Sequence, residues 1–224
     1  LKEFFGIGLD HPDDPFFSHL PRWASTAQCK MFWSEDLRSR VTGSATERLR
    51  ACLPAEMSRW HPFNRAEYLE ARTLLPSYLL SSQGDRMLMA NSVEGRFPYL
   101  DHRLIEFANR LHPTYKMRVL REKDLLKGAM GRRLPASIVD RHKQPYRAPD
   151  AAAFLAPGAP EYVNELMGRE RLERYGYFDA DKVERLVAKL KRARTSAPRD
   201  NMAFVGVLST QLWHTLFVER QSVD

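Results

Sequence analysis

The sequence predicts an all-α chain, and three observations carry that prediction. Apolar residues recur at helical period, most clearly at Leu104, Ile105, Phe107, Ala108 and Leu111 and at Val183, Leu186, Val187 and Leu190. Capping residues stand ahead of several such windows. Strand-like alternation is confined to VEGRFPYL (93–100), where Pro98 argues for an edge strand or for no strand.

Taken in order, residues 1–33 read as an irregular, partly buried connector. They are rich in Asp and Pro, yet Phe16, Phe17 and Trp23 are too apolar for a disordered segment. Residues 34–224 read as helical, beginning near Ser34. Ser44 and Glu47 have capping-box spacing ahead of RLRACL, and Asn64 and Glu67 repeat it ahead of AEYLEARTLL. Pro76 suits the first turn of a further helix, PSYLLSSQGDRMLMAN. Asp101 is an N-cap for HRLIEFANRL. The segment REKDLLKGAMGRRL predicts a helix burying Leu125, Leu126, Ala129 and Met130, and Pro135 opens a short one, ASIVD. RHKQPYRAPD (141–150) then breaks all periodicity. Helices resume at EYVNELM and ADKVERLVAKLKRAR, and the last, from about Asp200 to Val218, is apolar almost all round and so predicted to be buried.

Composition bounds the function. The 224 residues suffice for a sizeable core, and 43% hydrophobic with 28% charged residues is ordinary for a globular protein. No window approaches the roughly 18 apolar residues of a membrane helix, and LKEFFGIGLD has no signal-peptide pattern. The missing initiator Met fits a piece of something longer. Cys29 and Cys52 lack metal-ligand spacing, which fits reduced thiols in the cytoplasm. Of the net charge of +7, residues 101–150 supply +6, with 12 Lys and Arg against 6 Asp and Glu. That region could meet phosphate, or it could be a solvated helix face and a basic loop.

The common local motifs are missing: no GxxxxGK[ST], GxGxxG, HExxH or GxSxG occurs. The seven histidines are scattered, so no metal site has local support. Two segments are polar where apolar residues are expected. In QGDRMLMANSVEGRFPYLD, Asp85, Arg86, Glu94 and Arg96 either form an internal ion-pair network around a tight turn at Gly95 or line one wall of a polar site. In DRHKQPYRAPD, Arg141, His142, Lys143 and Arg147 lie on a stretch that Pro145 and Pro149 keep from becoming helix. Lysine there is either solvated or a point charge for phosphate and for charge developing in a transition state. The basic run KLKRARTSAPR (189–199) fits a solvated helix end, with binding of nucleic acid or an acidic surface as the other reading.

DRMLMANSVEGRFPYLDHRLIEFANRL followed by REKDLLKGAMGRRLPASIVDRHKQPY resembles the C-terminal half of the synthetase domain of glutamine-dependent asparagine synthetases. The close match covers about residues 83–147, and DNMAFVGVLSTQLWHTLF fits the family's last helix more loosely. Two departures are Leu88, where the family has a small serine, and Pro145, where many members have glycine.

The resemblance implies the helical C-terminal part of an α/β ATP-pyrophosphatase-type synthetase domain. The full enzyme would use ATP and Mg²⁺ to adenylate a carboxylate, aspartate in the type family, and transfer glutamine-derived ammonia to give an amide. The family's SGGxDS loop, its G-x-G-[AG]-D-E motif and the glutaminase cysteine are not in this sequence. Lys143, in Arg141-His142-Lys143, inherits the family role of stabilising the anionic transition state. Asp85, Arg86, Glu94, Arg96 and Arg141 would form a wall or support behind it. The implied partners are the substrates and the glutaminase and ATP-binding parts of the same protein, with a homodimer left open. Alone, the chain is expected to be inactive and to bind no cofactor tightly. The competing reading is a non-catalytic helical module binding phosphate or nucleic acid through 103–147, and the basic positions lack the aromatic interleaving that nucleic acid would favour.

Overall fold

The computed structural model describes residues 6–144, 150–193 and 197–220. They are mostly helical, and the only strands among them are two residues long. The chain divides into two compact units. One joins Leu1–Ile7, Leu20–Cys52 and Pro145–Asp224, and the other joins Gly8–His19 and Leu53–Gln144.

The first unit holds α1 (Leu20–Ala27), a 3₁₀ turn (Gln28–Phe32), α2 (Glu35–Arg40), α3 (Ala45–Ala51), α10 (Asp150–Leu155), α11 (Glu161–Leu166), α12 (Arg169–Tyr175), α13 (Ala180–Arg192) and α14 (Pro198–Trp213), with α4–α9 in the other unit. A π-helical turn, His214–Val218, extends α14. Helix α14 packs against α10, α11, α12, α13 and α1. Its buried face is Ala203, Phe204, Val207, Leu208 and Gln211, and the predicted stripe of α13 meets it through Val183, Leu186 and Leu190. The last helix is thus buried on one face only. Trp213, Phe217 and Val218 are exposed. Ser44 caps α3 as expected, its Oγ accepting from the Glu47 N–H at 3.4 Å. Residues 20–32, expected to be irregular, are helical, and Phe32 joins the core cluster of this unit.

The second unit contains a run that is helical from Pro62 to Ala90. It comprises α4 (Pro62–Leu74), a π-helical segment (Leu75–Asp85) and α5 (Arg86–Ala90). Asn64 is not its cap: His61 is, through Nδ1 accepting from the Phe63 N–H at 3.1 Å, with Pro62 preset for the first turn. Pro76 likewise starts no new helix. It lies where the ladder widens to π spacing, a way of absorbing a residue without an N–H inside a helix. Then come α6 (His102–Arg110), α7 (Pro113–Lys116), a hairpin of β1 (Met117–Arg118) and β2 (Arg121–Glu122), α8 (Asp124–Met130) and α9 (Ala136–Val139). VEGRFPYL is not a strand; it is extended coil ending in a 3₁₀ turn, Pro98–Leu100.

This unit buries little. Phe16, Met57 and Leu69 are its large buried apolar side chains, and the Arg65 guanidinium is satisfied by the Asp13 carbonyl at 2.9 Å. Lys116 reaches α4, with Nζ 2.5 Å from Glu67 Oε2. The apolar stripes of α6 and α8 form as predicted and are not covered: Leu104, Ile105, Phe107, Leu125 and Leu126 are exposed. Periodicity gave the helices correctly, but their burial depends on what lies against them.

Candidate functional site

The segment expected to line a wall follows the end of α5. Residues 88–93 close the helix in a Schellman turn: the Ser92 N–H donates to the Met89 carbonyl at 3.1 Å and the Val93 N–H to the Leu88 carbonyl at 2.9 Å. Ser92 takes the left-handed conformation this turn requires, φ 56°. The chain then runs back extended through Glu94, Gly95 and Arg96. A Cβ on Gly95 would overlap Leu88 Cδ1 and come within 2.9 Å of Phe97 Cζ, so glycine lets the segment lie this close to the helix end with the Leu88 and Phe97 side chains where they are.

Of the residues singled out in the sequence, the structure brings together Glu94 and Arg96, with Nε 3.1 Å from Oε1. The pair is exposed, and Asp85, Arg86, Arg141 and Lys143 have no ion pair with another described residue. The internal four-residue network is therefore not formed. Asp85 ends the π segment and Arg86 begins α5, on exposed positions. Phe97 and Tyr99 are exposed too, and Leu100 is half-buried.

Downstream, Asp101 caps α6 as predicted, accepting from the Arg103 N–H at 2.9 Å. Sequence reading missed that Arg103 also grips both Asp101 oxygens, at 3.0 Å from Nε and 2.6 Å from Nη2. These hydrogen bonds, the guanidinium's first and the backbone's second, hold the Asp101 carboxyl below the usual carboxylate range. Asp-x-Arg at a helix start was the available signal. Arg141 and Lys143 follow α9 in coil, exposed to solvent. Pro145, Arg147 and Pro149 lie outside the described residues, and Asp150 already begins α10.

The arrangement offers cations on an accessible strip and no carboxylate cluster: among the described residues no group of three or more His, Cys, Asp or Glu could hold a metal ion. Lys143 and Arg141 fit contact with phosphate charge, and these residues do not fit a Mg²⁺ site.

Comparison with known proteins gives the context. Amidase chyE of Penicillium rubens is 32% identical over 139 residues, 58% of this chain and 20% of that protein. Asparagine synthetase [glutamine-hydrolyzing] 1 of Bacillus subtilis is 25% identical over 167 residues, 74% of this chain and 25% of that protein. Asparagine synthetase [glutamine-hydrolyzing] 3 of the same organism is 42% identical over 67 residues, 30% of this chain and 11% of that protein. The first two matches thus span a fifth to a quarter of the relatives' length. No solved structure matches the chain. The family model for asparagine synthase matches residues 14–215, nearly the whole sequence, and the chain belongs to that family.

Proposed function

We propose that this chain is the helical C-terminal part of the synthetase domain of an ATP-dependent amidotransferase, and that the intact protein adenylates a carboxylate and converts it to an amide with glutamine-derived ammonia. The observation that carries the reading is the asparagine synthase match over residues 14–215. Two features support it. The apolar faces of α6 and α8 lie open, which suits helices that buttress a further part of the protein. Lys143 stands exposed in coil with Arg141 two residues before it. Both adenylation and attack by ammonia build negative charge, and a cation held at the reacting centre lowers both barriers. Lys143 takes that part here, Arg141 supports it, and the 85–96 segment lines the wall. In this reading ATP and Mg²⁺ are held largely by residues outside this chain, and the chain alone is inactive. The protein works in the cytoplasm on small molecules and needs neither membrane nor nucleic acid.

The test is ATP–pyrophosphate exchange and amide formation by the full protein, with aspartate as the first carboxylate. Lys143→Ala should lower kcat by about 100- to 1,000-fold, the loss typical of removing one transition-state charge stabiliser. Wild-type rates in that variant would remove Lys143 from the role. A second reading keeps the chemistry and changes the acid. It is favoured by the relative at 32% identity being named an amidase rather than an asparagine synthetase. Exchange supported by another carboxylate and not by aspartate would decide for it.

A further inference from the structure

We propose that Leu88 and Gly95 form a steric latch that sets where the Glu94–Arg96 pair is presented, making both positioning residues for the synthetase reaction; this rests on the functional reading above. Alternate residues of an extended segment face opposite ways. Between 94 and 96 the flanking side chains pair with each other in solvent at 3.1 Å, while the Cβ position of Gly95 is directed onto Leu88 Cδ1 and the Phe97 ring. The Val93 N–H, bonded to the Leu88 carbonyl at 2.9 Å, ties the start of the segment to the same residue. Leu88 therefore fixes the segment twice, by backbone at 93 and by side chain at 95. The glycine is required by contact rather than by its backbone conformation, since it is absent from the positive-φ residues and Ser92 makes the left-handed turn. Adding one methyl at 95 forces a shift, either of the Leu88 and Phe97 side-chain tips or of the segment itself, and the latch has the segment lift off the helix end. Shortening Leu88 should let it settle back, because the other obstacle is the tip of a Phe97 ring that is 43% exposed and can swing aside.

The experiment uses the full protein with Gly95→Ala and with Gly95→Ala combined with Leu88→Ala. Two readouts are taken: amide hydrogen exchange at Val93, and kcat and KM for ATP-dependent amide formation. The latch predicts faster exchange at Val93 in the single variant and restored protection in the double. For positioning, kcat should fall by up to about 100-fold in the single variant, the scale of a misplacement near 1 Å. It should recover to within a few-fold in the double, with KM for ATP little changed. Unaltered exchange at Val93 in Gly95→Ala overturns the latch whatever the activity does. Altered exchange with unchanged kcat, or no recovery in the double variant, overturns the positioning role. A wild-type protein that forms no amide and exchanges no pyrophosphate with any carboxylate overturns the functional reading and this role with it, while the exchange data still judge the latch.

Discussion

Phe107→Ala in the full natural protein tests whether the open face of α6 is an interface. Phe107 is 56% exposed here, on a helix with no buried residue. A phenylalanine offers about 200 Å² of surface, so roughly 110 Å² is left to cover. At about 25 cal/mol per Å², covering it is worth roughly 3 kcal/mol. If the face buttresses another part of the protein, truncation to alanine should cost about that much. If the face stays in water, the cost should lie within about 0.5 kcal/mol, as for most surface substitutions. Urea unfolding followed by circular dichroism separates the two, with Leu172→Ala as an internal reference. Leu172 is 0% exposed, and its truncation should cost about 3–5 kcal/mol in either case. A Phe107→Ala cost under about 0.5 kcal/mol beside a normal Leu172→Ala cost would refute the interface.

Other substitutions probe the units themselves. Val119 stands at φ 57° in the two-residue loop between β1 and β2, a conformation costly for a β-branched residue, and it is 86% exposed. Val119→Gly should therefore raise stability by about 0.5–1 kcal/mol in urea unfolding, after the entropy that glycine adds to the unfolded chain; a loss would show that Val119 packs on something. Glu219 is held below the usual carboxylate range by the Tyr175 hydroxyl at 2.7 Å, then by Arg174 and Arg171. A lowered folded value means its stabilisation is complete above the ordinary Glu range and is lost as pH falls through the folded value. The gap in urea midpoint between wild type and Glu219→Gln should thus be full at pH 6 and shrink below about pH 4. A gap constant with pH would mean that the charge on Glu219 is irrelevant.

How far the sequence could be read follows the range of the forces involved. Capping is local, so Ser44 and Asp101 were legible from their own neighbours. His61 was not, because histidine caps a helix less often than the Asn64 three residues on, and Pro62 was the better clue. The π segment hides in the same way: Pro76 announces a disturbance in a helix without saying whether the chain ends there or widens. At the site, the sequence offered Glu94 and Arg96 only as members of a four-residue network, of which this one pair forms. Its exposure was not legible, nor was the grip of Arg103 on Asp101.

The sequence by itself determined the helical class, the apolar faces of α6 and α13, and the family, because periodicity and an ordered run of motifs are written along the chain. Only tertiary structure decided which faces are filled. Val183 and Leu186 are buried by the helices around α14, whereas on the equally regular stripe of α6 Leu104, Ile105 and Phe107 stay exposed among the described residues. Amphipathicity specifies that a face seeks cover, and burial depends on partners remote in sequence. The same holds for Gly95: its place in the motif was visible, while the closeness of the Leu88 side chain to it exists only in three dimensions.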